Sequence, residues 1–134
     1  MSIEVTWDDQ LNDVIIYHFT DKWTWNEFLV AFEQYEVAMA SSLNGRPYAV
    51  IGNLLQSQPL PPGSGVQHVY GVFKKYPTNW KMTVIVTPSN FVRTLLTVGK
   101  RLHPDTRDGF IAVNTLDEAH QAICERLPQL EPMG

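Results

Sequence analysis

The sequence predicts an α/β fold: one domain holding a five-stranded, mixed but mostly parallel sheet and four helices in the order ββαβαβαβα. Two observations lead there. Four times a short run of β-forming residues gives way, after a turn, to a helix opened by Ser, Thr or Asn, and at the N-terminus two strand-like segments follow each other across a short turn. Consecutive parallel strands need a crossover, which a helix usually supplies, whereas a short turn joins antiparallel neighbours. A chain of 134 residues is the length of one domain, 1–134 with its core over about 3–127, and is large enough to bury its apolar surface without metals or disulfides.

The elements follow in order. Ile3, Val5 and Trp7 alternate with Glu4 and Thr6, the period of a strand with one buried face. Asp8 to Asp13 supplies turn formers, and Val14 to Phe19 is a second strand whose nearly continuous apolar run places it inside the sheet. Thr24 with Glu27 forms a capping-box pattern, and Trp23 and Phe28 stand at the positions of a hydrophobic staple. Trp25, Phe28, Leu29, Phe32, Tyr35 or Glu36, and Met39 then recur at helical spacing, as a face packed on the sheet. A ligand cage built from Trp23 and Trp25 is the alternative use of those rings.

Tyr48 to Leu55 reads as the third strand and Lys81 to Thr87 as the fourth. Between them lies the proline-rich stretch Gln56 to Gly63, then a helix opened by Ser64 with Gln67, carrying Val66, Val69, Tyr70 and Phe73 and stopped by Pro77. The proline loop is either a stiff connection or a polyproline segment offered to a partner. Ser89 or Asn90 can cap the next helix, with Phe91, Leu95, Val98 and Leu102 on one face. The last unit joins a strand at Phe110 to Val113 to a helix with Leu116, Ala119, Ile123 and Leu127, closed by Pro128. Its cap is Thr115, which accepts from a first-turn N–H while Glu118 reaches back to the Thr115 N–H. If the helices gather on one face of the sheet, the other face, with Thr83, Ile85 and Thr87, needs cover from the N-terminal hairpin or a second copy, which makes a homodimer one expectation.

Composition narrows the function. A formal charge of −4 argues against a nucleic-acid partner, which clustered Lys and Arg would serve. Lys100, Arg101, His103 and Arg107 are the local basic excess, and the first three suit the last turn of a helix. A single cysteine, Cys124, allows neither an internal disulfide nor a thiolate zinc cluster, which points to a reducing compartment. With no leader-like N-terminus and no continuous apolar span, the expected location is the cytoplasm, without membrane insertion. His18, His68, His103 and His120 lack metal-ligand spacing, no nucleophile elbow or phosphate loop is present, and the chain is expected to be neither an enzyme nor a cofactor carrier. His18, on a largely apolar strand, is the histidine placed to line a pocket.

This order of elements resembles the STAS domain of bacterial anti-sigma factor antagonists and related SpoIIAA-like proteins, over roughly Ile3 to Leu127. In that family a phosphorylatable serine lies in an Asp-Ser-Ser-Gly type motif between the third strand and the second helix. The corresponding stretch here is Pro62-Gly63-Ser64-Gly65: Ser64 and Gly65 match its second half, Pro62 and Gly63 stand at the aspartate and the first serine, and Gly52 or Asn53 replaces the family's third-strand aspartate. The resemblance implies a non-catalytic module that binds a regulatory protein, an anti-sigma factor or a kinase-like partner, through the Pro59 to Gly65 loop and the helix start. Ser64 is then either a switch, its phosphate stabilised by the helix N-terminus, or an ordinary N-cap contributing about 1 kcal/mol. Because SpoIIAA-like proteins also resemble lipid-binding folds, a second expectation is a carrier or sensor of a small apolar ligand or lipid, with Phe28, Phe32, Tyr70, Phe73 and His18 around the ligand. A self-associating structural protein is the third.

Overall fold

Residues 2–57, 77–90, 92–94, 97 and 109–127 are described by the computed structural model. Five strands, β1 (Ile3–Trp7), β2 (Val14–Asp21), β3 (Tyr48–Ser57), β4 (Trp80–Val86) and β5 (Phe110–Val113), form one sheet in chain order. β1 runs antiparallel to β2, and β2 to β5 are parallel, so the mixed, mostly parallel sheet is as expected. Asp13 closes the β1–β2 turn in the left-handed region at φ 58 and pairs with Arg46 at 3.3 Å. Short polar side chains tolerate that conformation better than most.

The apolar run of β2 has its reason in the layering. Ile15, Tyr17 and Phe19 point to one face, where they pack with Trp23, Trp25, Ala31, Tyr48 and Val50. Val14 and Ile16 point to the other, where they pack with Ala49, Ile51, Met82, Val84, Val86, Ala119 and Ile123. A strand covered on both sides has no polar face to alternate with.

On the first face lies a helix in three parts, α1 (Trp25–Ala31), a π-helical turn (Phe32–Glu36) and α2 (Val37–Ser41); on the second lies α3 (Leu116–Arg126). The described helices therefore do not gather on one face. Among the described residues α3 follows the last strand and closes no crossover, so the handedness that constrains helices between parallel strands leaves it free to cover Met82, Val84 and Val86. Thr83, Ile85 and Thr87 alternate with those residues and share the face of α1; Thr83 and Thr87 are buried there and Ile85 is half-buried.

Both helix starts use the expected threonines. Thr24 Oγ1 accepts from the Glu27 N–H at 3.0 Å and Glu27 Oε1 accepts from the Thr24 N–H at 3.1 Å, a complete capping box. The Trp23 and Phe28 rings of the staple lie 6.5 Å apart. Thr115 Oγ1 accepts from the Glu118 N–H at 3.1 Å, but the expected return bond to the Thr115 N–H is replaced: Glu118 Oε1 accepts from the Thr115 hydroxyl at 3.3 Å. Residues 90, 92–94 and 97 are helical, opened by Ser89, whose Oγ accepts from the Val92 N–H at 3.3 Å. The expected helix opened by Ser64 lies outside the described residues. Among the described residues no helix is long and apolar enough to cross a membrane.

Candidate functional site

The loop residues singled out by the sequence, Pro62, Gly63, Ser64 and Gly65, lie outside the described residues, as do Tyr70 and Phe73. The structure describes the approach to that loop. β3 runs on to Ser57, past the expected end at Leu55, because the last residue is held: Trp23 Nε1 donates to Ser57 Oγ at 2.8 Å. Gly52 sits mid-strand where a Cβ would come 3.1 Å from Ile85 Cδ1 and 3.9 Å from Phe19 Cε2, so a larger residue would crowd the face under α1. Asn53 faces the opposite way, with Nδ2 3.3 Å from His18 Nδ1 and Oδ1 accepting from the Leu55 N–H.

The expected ligand pocket is divided by this geometry. Phe32 is fully buried, and the half-buried Phe28 packs its ring against Tyr17, Phe19 and Trp23 at 5.8, 6.1 and 6.5 Å. His18 lies between Tyr17 and Phe19 on β2, so its side chain projects to the face of Asn53. The sheet stands between His18 and the two phenylalanines. Trp23 and Trp25 are both buried and meet edge to face at 4.9 Å, which makes them core rather than a cage.

Two polar clusters that the sequence left unassigned carry the described chemistry. The first is inside the α1 face. The stripe along the helix offers Tyr35 or Glu36 to the sheet, and the π turn turns Glu36 inward, 1 % exposed, leaving Tyr35 43 % exposed. The Val37 N–H bonds to the Phe32 carbonyl, five residues back, which marks the wider turn. Glu36 Oε1 accepts from the Tyr17 hydroxyl of β2 at 2.5 Å, and Oε2 accepts from the Tyr48 hydroxyl of β3 at 2.7 Å. Burial pushes the carboxyl up from 4.5 to about 7, against the two phenol hydrogen bonds, which favour the carboxylate and pull it down. Such a group can hold or release a proton near neutrality. Two tyrosines on adjacent strands, both at inward positions, were the available signal.

The second cluster joins the chain's two ends. Asp8 Oδ2 accepts from the Gln10 and Leu11 N–H groups at 3.0 and 2.8 Å, folding the start of the β1–β2 turn. Asp8 Oδ1 lies 2.9 Å from His120 Nε2 on α3. His120 Nδ1 is buried with no partner among the described residues. His120 stands beside the apolar stripe of α3, a position that spacing alone could not connect to a turn more than a hundred residues away. Cys124 packs at the edge of the same core, near Leu127. Among the described residues no cluster of three or more His, Cys, Asp or Glu side chains is arranged to hold a metal.

Comparison with protein-family models, curated proteins and solved structures finds no match to the chain.

Proposed function

We propose that the chain is a non-catalytic regulatory module of the anti-sigma factor antagonist type, working in the cytoplasm and binding a partner protein through the Pro59 to Gly65 loop and the helix start beyond it. The charge at Ser64 is the switch. The observation that carries this reading is the sheet: an antiparallel edge strand β1 followed by β2 to β5 in parallel and in chain order. In that arrangement the loop departs from the C-terminal end of β3, the side of a parallel sheet at which open α/β folds place their binding crevices. A phosphate there reverses the local charge that a partner meets.

Four polar side chains hold parts of the fold together. Glu36 bonds two tyrosines, Asp8 a turn and His120, and Thr24 and Thr115 cap helices. The filling of Phe28's surroundings by Tyr17, Phe19 and Trp23 weighs against a ligand carrier on that side.

The test uses wild type, Ser64→Ala and Ser64→Asp as parallel baits in lysate of the source cell, read by quantitative mass spectrometry. The expected result is a partner protein held by wild type and Ser64→Ala and released by Ser64→Asp, with a Ser64 phosphopeptide after incubation of wild type with lysate and ATP. Equal capture by all three baits, or no partner, overturns the reading.

A further inference from the structure

Glu36 is a carboxyl placed where an apolar residue would serve packing better. It sits on the buried side of the helix from Trp25 to Ser41, in the one turn of that helix with π geometry, and its oxygens meet hydroxyls from two different strands. π turns inside α-helices are rare and concentrate at functional positions. Hydrogen bonds from Tyr17 and Tyr48 make this carboxyl the polar tie between helix and sheet in a cluster that is otherwise Ile3, Ile15, Phe19, Trp23, Trp25 and their neighbours.

We propose that Glu36, Tyr17 and Tyr48 form a proton-operated latch: the protonated carboxyl, donating its own proton to one phenol oxygen and accepting from the other phenol, seats the helix on the sheet, and ionisation leaves a buried charge that loosens the helix at the π turn. The groups facing the carboxyl from the sheet are the two phenols, on β2 and β3; Glu33, on the same helix, is exposed. Among the described residues no charged side chain adds to the balance, which is set by burial against the two hydroxyls. A carboxylate in this apolar layer keeps two donors but loses water, and opening of the helix restores the water.

The direction follows from linkage. The folded carboxyl holds its proton up to about 7, against an ordinary value of 4.5, so its contribution to stability is full below the ordinary value and is lost as pH rises through about 7. If opening exposes Glu36 fully, the opening constant of the helix rises roughly thirtyfold between pH 5.5 and 8.5. This inference stands apart from the reading of Ser64, because it concerns a helix and a proton that the Ser64 switch does not use.

The test combines ¹³C NMR titration of the Glu36 carboxyl with hydrogen exchange of the backbone amides of residues 25–41, corrected for the intrinsic pH dependence of exchange. In wild type the carboxyl is expected to titrate near neutrality and opening of the helix to increase with pH. Glu36→Gln should make that opening independent of pH. Tyr48→Phe removes a donor that favours the carboxylate, so it should move the midpoint to higher pH, a shift that mere loss of packing would not produce. Titration of Glu36 in the ordinary carboxylate range, or the same pH dependence in Glu36→Gln as in wild type, overturns the latch. Should Glu36→Gln fail to fold, the wild-type titration and the Tyr48→Phe shift decide alone.

Discussion

Gly109 shows how one side chain can dictate its neighbour's identity. The Trp80 indole donates to Thr83 Oγ1 at 2.9 Å and lies 5.4 Å from the Phe110 ring, which brings its six-membered edge over the backbone just before β5. A Cβ on Gly109 would meet Trp80 Cη2 at 2.5 Å and Cζ3 at 3.2 Å. The indole is tied through Thr83, itself buried, so it cannot swing aside without losing a hydrogen bond. Gly109→Ala is therefore expected to cost about 1–3 kcal/mol by overpacking. It should appear as a lower urea midpoint at unchanged slope. Trp80→Leu in the same background should recover part of the loss, so that the two changes together cost less than their sum.

At the scale of elements the caps differ in completeness, and that difference is measurable. Thr24 takes part in two reciprocal bonds with Glu27, whereas Thr115 satisfies one backbone donor and hands its own proton to Glu118. Each Thr→Ala change is expected to destabilise the fold by roughly 0.5–2 kcal/mol, Thr24→Ala by more than Thr115→Ala, in equilibrium denaturation. Both capping threonines were legible in the Thr-x-x-Glu pattern, which names both bonds at Thr24 and one of the two expected at Thr115. The strands were legible for a similar reason: β5 occupies the expected residues, and β2 sits inside the sheet as its unbroken apolar run requires. What the pattern could not carry was the side of the sheet. A buried stripe on α3 states that a face is covered and does not state which one, and only the contact of Ala119 and Ile123 with Met82, Val84 and Val86 settles it. The π turn was hidden for a different reason. Phe32 and Glu36 are four apart, which an ordinary helix also allows, so the stripe left Tyr35 and Glu36 as alternatives and the buried carboxyl unassigned.

Across the described molecule, the hydrogen bond between Asp8 and His120, 112 residues apart, ties the first hairpin to the last helix. Among the described residues β1 pairs with β2 at the edge of the sheet, and α3 meets the hairpin through this pair and the shared core around Leu11, Val14 and Ile123. Asp8→Ala removes the partner of two backbone donors as well as of His120, and the Leu11 N–H is buried. A loss of about 2–4 kcal/mol is expected, since each unpaired buried donor carries its desolvation cost. His120→Ala should cost less, because the turn keeps its own bonds to Asp8 Oδ2. The cycle formed by the two single variants and the double variant isolates the tie itself, for which a coupling of roughly 1–2 kcal/mol is expected. Its place is then visible in hydrogen exchange: if the pair joins hairpin and helix into one cooperative unit, His120→Ala should speed exchange of the Gln10 and Leu11 amides along with those of residues 116–126, while a loss confined to the helix would show that the two ends fold as separate units.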